Sequence, residues 1–192
     1  MTALHIDSSA NLTGSNSRKL GQYLAAKLDK PTVYRDLVSN PVSLPSAEDL
    51  MAFKDGTDNG NTSLSSFVGL SNNLIAELKQ ADTLIIGASM YNFSVSSYLK
   101  LWIDAICVAG KTFHYTEQGP QGLCNIEKAY IITATGGTPV GSSYDHCSTY
   151  IEQVCRFIGV KEIHHIDASG SKGSQAEVLS DGERQIDALL AK

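Results

Sequence analysis

Residues 81–110 read ADTLIIGASMYNFSVSSYLKLWIDAICVAG, and this stretch decides the fold. Leu84, Ile85 and Ile86 form a short unbroken apolar run that ends at Gly87. A run of this kind is typical of a strand that is buried on both faces, as in a parallel sheet covered by helices. The sequence therefore predicts a buried strand here, the third of the chain.

Beyond this strand the apolar residues change to a helical spacing. They recur at intervals of three and four, which places them on one face of a helix; these residues are Leu99, Trp102, Ile103 and Ile106. Ser94, Ser96 and Ser97 are each able to cap the start of this helix, and Gly110 is a candidate for its end. The stretch is thus a strand–loop–helix unit.

The loop inside this unit is Met90-Tyr91-Asn92-Phe93, which has two aromatic residues and an amide where a short polar turn is the usual choice. In open parallel sheets, ligands bind beyond the carboxyl ends of the strands, so this loop lies where a ligand is expected. The alternative is that Tyr91 and Phe93 only cover the core. A second loop of ligand-binding type near the N-terminus favours the ligand.

That second loop, SSANLTGSNS at residues 8–17, joins a strand at residues 4–7 to a helix that contains Leu20, Leu24 and Leu28. Hydroxyls and free backbone N–H groups at a helix N-terminus favour phosphate. The alternative is a polar turn with an N-cap at Ser15 or Ser17, but ten residues with so many hydroxyls exceed what a cap requires. The chain has no dinucleotide-binding G-x-G-x-x-G motif and no complete P-loop motif, because Gly110-Lys111-Thr112 lacks the first glycine and follows a helix.

The rest of the chain continues the alternation of strands and helices. We predict strands at residues 32–37, 129–133 and 162–166, and helices at residues 67–78, 150–158 and 175–190. Residues 38–66 are irregular apart from a helical turn at 47–53, and they form either a lid or a surface insertion. Residues 113–123 are predicted to be a loop that folds over a planar ligand. Gly136 and Gly137 follow the fourth strand, where they allow a close approach of a ligand or only a turn.

Together these elements predict a flavodoxin-like α/β sandwich of three layers in one domain, residues 1–192. Its five-stranded parallel sheet has the order 2-1-3-4-5, with helices on both faces. Strands one and three then flank the switch point of the sheet. A phosphate would lie at the first loop, and a flat heteroaromatic ring between the loops after strands three and four.

Composition and charge exclude several other functions. The net charge of −5, without a run of Lys or Arg, argues against sequence-independent binding of nucleic acid. The chain enters its first strand at once and has no apolar run that could span a bilayer, so we expect a cytoplasmic protein that does not bind membranes. The four cysteines form no C-x-x-C pair and are expected to be reduced thiols. Neither Asp145-His146-Cys147 nor His164-His165 is predicted to act as a triad or metal site, because sequence neighbours point in different directions.

The loops resemble those of the FMN-dependent NADH azoreductase family, whose members are also described as FMN-dependent NADH:quinone oxidoreductases. The resemblance covers essentially the whole chain, and residues 90–123 are its most specific part. The matching motifs are S-S followed by S-x-S after the first strand, M-Y-N-F followed by L-K-x-W-I-D, A-G-x-T-F-x-Y-T-x-x-G-P-x-G-L, and a strand that ends in T-x-T-G-G.

The resemblance implies an FMN site and assigns its residues position by position. The phosphate and ribityl end falls to Ser9, Ser15, Asn16 and Ser17. The isoalloxazine ring falls to Met90, Tyr91, Asn92, Phe93, Ala134, Thr135, Gly136 and Gly137. The substrate pocket falls to Phe113 and Tyr115. Family members often have Ser-Arg-Gly-Gly at the last ring segment, so Ala134 and Thr135 depart from the pattern. The resemblance also implies a homodimer with each flavin near the interface, to which the helix of Leu99–Ile106 contributes.

The implied reaction is a ping-pong cycle, in which NADH reduces the flavin and leaves before a quinone or an aromatic azo compound takes two electrons. Since the cofactor carries the chemistry, no catalytic side chain and no metal ligand is assigned. Backbone N–H groups of Gly136 and Gly137 are expected to stabilise the reduced ring. Two alternatives stay open at this point: a flavodoxin-type electron carrier that does not oxidise NADH itself, and a flavin-free binding protein or hydrolase on the same fold.

Overall fold

A computed structural model describes residues 1–55, 66–170 and 174–191, with the side chains of residues 52–55 excepted. The strands are β1 (Ala3–Asp7), β2 (Thr32–Asp36), β3 (Thr83–Ser89), β4 (Phe113–Thr116), β5 (Gly119–Gly122), β6 (Lys128–Ala134) and β7 (Glu162–Asp167). The helices are α1 (Asn16–Lys27), α2 (Ala47–Asp55), α3 (Ser66–Gln80), α4 (Ser97–Ile106), α5 (Ser148–Ile158) and α6 (Gln175–Leu190).

Five of the strands form one parallel sheet in the order β2-β1-β3-β6-β7. Without the separate β4–β5 hairpin, this is the predicted order 2-1-3-4-5, so the fold prediction is confirmed. The order reverses between β1 and β3, and the loops after these two strands therefore separate at the carboxyl edge of the sheet. A cleft is expected at that point.

Helices cover both faces of the sheet because successive residues of each central strand point to opposite sides. In β3, Leu84 and Ile86 pack on the face covered by α3, α4 and α5, whereas Ile85 packs on the face covered by α1 and α6. None of the three is more than 2% exposed. The apolar run from Leu84 to Ile86 is thus part of a strand buried on both faces, as predicted.

The α4 helix begins as predicted but ends earlier. Ser96 is its N-cap, with its hydroxyl oxygen accepting a hydrogen bond from Leu99 N, and the apolar face contains the buried Trp102. The helix ends at Ile106, four residues before Gly110. The buried Thr112, in the turn that follows, accounts for this end. Its hydroxyl donates to the Ile106 carbonyl at 2.6 Å and so takes the place of a further backbone N–H of the helix. Gly110, with a φ of 77°, serves that turn instead.

Residues 113–123 form the antiparallel hairpin β4–β5 instead of the predicted loop. Gly-Pro-Gln-Gly is a poor strand sequence in isolation, and it becomes a strand through pairing with β4 and packing against the end of α5. The helical turn predicted at residues 47–53 lies within α2. Residues 56–65 of the predicted lid or insertion lie outside the described residues.

All four cysteines are free thiols, and Cys124, Cys147 and Cys155 are buried. Burial raises the pKa of each of these three, and that of Cys147 to about 12, so they are inert small hydrophobes near neutral pH. Within the described parts of the chain, no helix combines the length and apolar character needed to cross a membrane.

Candidate functional site

The loop after β1 is held in shape by hydrogen bonds from its own side chains to its backbone. The Asn11 carboxamide oxygen accepts hydrogen bonds from the backbone N–H groups of Thr13 and Gly14, at 3.3 and 2.8 Å. Ser15 is the N-cap of α1, and its hydroxyl accepts from Arg18 N at 3.4 Å. The loop can therefore both cap the helix and bind a phosphate. With Ser15 as the N-cap, N–H groups in the first turn of the helix still have no intrahelical acceptor. These N–H groups are suited to an anion.

The other predicted members of this loop lie around the same helix start. The Ser17 hydroxyl lies 3.0 Å from that of Ser15 and 3.4 Å from that of Ser89, at the end of β3. The Ser9 hydroxyl accepts from Asn11 N at 3.3 Å. Hydroxyls from the ends of β1, β3 and α1 thus converge at one place, and Ser89 is a member that the sequence analysis did not single out.

The M-Y-N-F segment is a tight turn in a strained conformation. Tyr91 and Ser94 exchange backbone hydrogen bonds of 2.9 and 3.1 Å, and the two residues between them, Asn92 and Phe93, have φ of 48° and 71°. Two successive positive φ values are the signature of a type I′ turn. Asn tolerates this region, but Phe rarely adopts it, and such strain is concentrated at functional sites. Phe93 is also 54% exposed, which is unusual for a large apolar side chain.

Hydrogen bonds tie this turn to both neighbouring loops. The Tyr91 hydroxyl accepts from the backbone N–H of Ala10, in the first loop, at 2.9 Å. The backbone N–H of Met90 donates to the Ala134 carbonyl, at the end of β6, at 2.8 Å. The loops after β1, β3 and β6 are therefore held as one unit.

A cleft of about 190 Å³ lies between the three loops. Its lining is Ser9, Asn11, Gly14, Ser15, Asn16, Ser89, Met90, Tyr91, Ala134, Thr135 and Gly136. Gly137 lines an adjoining cleft with Gly136. At Thr135, where the family pattern often has arginine, the hydroxyl donates to the Thr138 carbonyl at 2.5 Å and shapes its own loop.

The loop after β6 brings in two residues that the sequence analysis missed as site residues. The buried Asp145 carboxylate accepts hydrogen bonds from the backbone N–H groups of Gly141, Cys147 and Ser148 and from the Ser148 hydroxyl. Next to it Tyr144 is 67% exposed, and its ring centroid lies 6.3 Å from that of Phe93. An aspartate shortly before a predicted helix start, here the helix predicted at residues 150–158, is a candidate for capping and would have identified the first of these residues.

Burial of Asp145 opposes its ionisation. The four hydrogen bonds outweigh this effect and hold its pKa below the usual value for an aspartate. The carboxylate is therefore ionised at neutral pH and acts as a fixed anchor for the loop.

The two residues assigned to the substrate pocket lie apart from the cleft in a single copy of the chain. Phe113 is buried, with its ring centroid 4.2 Å from that of Phe157. Tyr115 packs edge-on against Phe113 at 5.4 Å and is 73% exposed. Because α4 runs back from the carboxyl edge of the sheet, the hairpin that follows it is near the opposite edge.

The histidine pair His164-His165, which the sequence analysis did not assign as a metal site, has partners of its own. His164 stacks on Tyr130 at 5.1 Å, whereas the His165 ring lies 2.9 Å from the Glu152 carboxylate. The two histidines therefore point to different surroundings, as their position in a strand predicts. Among the described residues, no three His, Cys, Asp or Glu side chains are grouped closely enough to hold a metal ion.

Comparison with known proteins agrees with this geometry. The family model described as flavodoxin-like fold matches residues 1–190. An FMN-dependent NADH:quinone oxidoreductase 1 from Hahella chejuensis is 44% identical over 187 residues, which are 95% of this chain and 92% of the relative. A protein of the same name from Idiomarina loihiensis is 41% identical over 177 residues, 88% of each chain.

Solved structures of azoreductases share the fold. An azoreductase from Bacillus anthracis strain Sterne superposes with a TM-score of 0.84 at 18% identity, covering 98% of both chains. An FMN-dependent NADH-azoreductase from Bacillus anthracis strain Ames Ancestor, in complex with FMN, gives a TM-score of 0.83 at 20% identity, over 99% of this chain and 97% of the other. Both the fold and the sequence identity over nearly the full length lead to one assignment: the chain belongs to the FMN-dependent NADH:quinone oxidoreductase family, with a flavodoxin-like fold.

Proposed function

We propose that this protein is an FMN-dependent oxidoreductase that takes hydride from NADH and reduces quinones and aromatic azo compounds. The observation that carries the proposal is the cleft at the switch point, where a helix start rich in hydroxyls, a strained aromatic turn and a loop with paired glycines are hydrogen-bonded together. Relatives at 44% and 41% identity are named FMN-dependent NADH:quinone oxidoreductases.

The residues of the cleft fit both parts of FMN. At one end, the hydroxyls of Ser9 and Ser15 and the first-turn N–H groups of Asn16 and Ser17 present donors to an anion at the positive end of a 12-residue helix. At the other end, the turn of residues 90–93 faces a loop whose glycines have no side chains. The donors suit the phosphate and the side-chain-free wall suits a flat ring.

When bound, FMN would supply the transfer of two electrons between NADH and the acceptor. The chain positions the groups that react. The Tyr91 hydroxyl ties the turn to the loop at the phosphate end by accepting a hydrogen bond from Ala10 N. The backbone N–H of Gly137 would donate to the ring. Phe93 and Tyr144 offer aromatic faces on which a nicotinamide or a quinone can stack.

The visible spectrum of the purified protein, recorded anaerobically before and after addition of NADH, tests this function. We expect a flavin spectrum that bleaches with NADH and returns when a quinone is added. A flavin that NADH does not bleach would instead identify an electron carrier. A colourless protein that also fails to bind added FMN would contradict the flavin site itself.

The working assembly that we propose is a homodimer in the cytoplasm, where four free thiols stay reduced. Tyr115 lies on an exposed hairpin near one edge of the sheet, whereas the cleft is at the other, so its role in the substrate pocket requires the hairpin of a second copy. A groove of about 360 Å³ beside the turn, lined in part by Tyr91, Asn92 and Tyr98 at the start of α4, is open to receive it.

For this assembly we expect a sedimenting mass about twice 20.6 kDa. The Tyr115→Ala substitution is then expected to raise the KM for a quinone about fivefold with little change in flavin content, since one aromatic contact contributes about 1 kcal/mol. Tyr115→Phe keeps the ring and serves as the control. A monomer, or an unchanged KM in Tyr115→Ala, would contradict the role of the hairpin.

A further inference from the structure

Arg18 is a charged residue in an unusual position. It follows directly after the proposed phosphate-binding loop, in the first turn of α1, and it is only 6% exposed. Arginine is rarely buried unless its charge and its donors are matched. The partners of this guanidinium therefore indicate what it does.

Every N–H of the guanidinium has an acceptor within the protein. Nε and one N–H of Nη2 donate to the Ser9 carbonyl, at 3.3 and 2.8 Å. The other N–H of Nη2 and one of Nη1 form a bidentate pair with the Asp36 carboxylate, at 2.8 and 2.9 Å. The last N–H of Nη1 donates to the Tyr34 hydroxyl at 3.2 Å. Since arginine has five donors, none remains for a ligand.

The acceptors are themselves held in place. The Asp36 carboxylate also accepts from Val38 N and from the Ser39 hydroxyl, both at 2.9 Å. Burial opposes the ionisation of Asp36, but these bonds and the Arg18 pair outweigh it and keep its pKa well below the usual value. On the other side, the Tyr34 hydroxyl donates to the buried Asp7 at 2.8 Å. The end of β2 thus forms a rigid support for the guanidinium.

The consequence lies in the loop that Arg18 closes. Its side chain binds the Ser9 carbonyl, where the chain leaves β1, and its backbone N–H binds the Ser15 hydroxyl, where α1 begins. The two ends of the loop are therefore clamped to one residue. The donors proposed for the phosphate, on Ser9, Asn16 and Ser17, lie on or beside these two ends.

We propose that Arg18, braced by Asp36, is the positioning residue for phosphate recognition: it fixes the loop that binds the FMN phosphate and does not contact the phosphate itself. The inference rests on the proposed FMN function. It assigns the selectivity for FMN over riboflavin, which lacks the phosphate, to a residue behind the binding loop. Lysine is not expected to replace arginine, because a single ammonium group cannot hold the Ser9 carbonyl and both Asp36 oxygens together.

The test compares the affinity of the deflavinated full-length protein for FMN and for riboflavin, followed by quenching of flavin fluorescence. For Arg18→Met and Arg18→Lys we expect the Kd for FMN to rise about ten- to a hundredfold and that for riboflavin to change less than twofold. The matched control is Arg156→Met, which removes an exposed arginine that pairs with Glu152 on α5. Both affinities should stay as in the wild type.

Three outcomes would overturn the proposal: an equal loss for both flavins, no loss for either, or full recovery of FMN affinity by Arg18→Lys. If Arg18→Met does not fold, Asp36→Asn, which leaves the Ser9 contact intact, is expected to reduce the preference for FMN about threefold or more; an unchanged preference contradicts the proposal equally. A wild-type protein that binds neither flavin would refute the proposed function, whereas a wild-type preference for FMN that survives in the variants refutes only the role of Arg18.

Discussion

Replacement of Gly122 by alanine is expected to lower the free energy of unfolding by about 3 kcal/mol, the upper end of the usual cost of overpacking. A methyl group at this position would lie 2.2 Å from the backbone N of Gly159 and 2.3 Å from the carbonyl carbon of Ile158. Both atoms belong to the end of α5, where Gly159 is the C-cap with a φ of 101°. Backbone atoms cannot rotate aside as a side chain can, so the hairpin and the helix must separate.

Urea unfolding followed by circular dichroism measures this loss as a lower midpoint. The control is Gly69→Ala on the exposed face of α3, where an added methyl group meets no atom within 4 Å. Because alanine favours helix over glycine, this control is expected to be stabilised by up to about 1 kcal/mol. Equal midpoints for the two variants would mean that the hairpin does not need the close approach to α5.

The strand–loop–helix unit was predictable because its signals are local. The run Leu84-Ile85-Ile86 and the helical spacing from Leu99 to Ile106 each depend only on neighbours in the sequence. That the loops after β1, β3 and β6 meet was predictable for a related reason, since the strand order places all three at one edge of the sheet. Ser15, Met90 and Tyr91 thus line one cleft although they are far apart in the chain.

The hairpin and the supporting contacts were not predictable from local patterns. Gly-Pro-Gln-Gly indicates a turn, and only pairing with β4 and contact with α5 make it a strand. Arg18 carries no local signal of its role, because its partners come from the β1–α1 loop and from the end of β2. Likewise Tyr144 is identified as a site residue only by its short distance to Phe93, which lies about fifty positions earlier in the chain. In each case the missing information is tertiary.

The Asp145→Ala substitution is expected to disturb the ring side of the site and the fold together. It removes the acceptor of three backbone N–H groups and one hydroxyl, and buried donors without partners cost about 3 kcal/mol in total if water replaces some of the bonds. The same loop carries Tyr144, and His146 N donates to the Phe93 carbonyl at 3.0 Å. We therefore expect a higher Kd for FMN and a higher KM for quinones as well as a lower urea midpoint.

The Asp145→Asn substitution keeps the shape of the side chain and removes its charge. The contribution of the charge to stability is measured as the unfolding free energy of both proteins at different pH values. The pKa of Asp145 is lower in the folded protein than in the unfolded chain, where it is about 3.9. The unfolded state thus binds the proton more readily, so the stability that the ionised carboxylate contributes is fully present above about pH 5 and is lost as the pH falls through the folded pKa. The difference in unfolding free energy between the wild type and Asp145→Asn should therefore be largest near neutral pH and shrink below about pH 4. A difference that stays constant with pH would show that shape alone, and not the charge of the carboxylate, holds the loop.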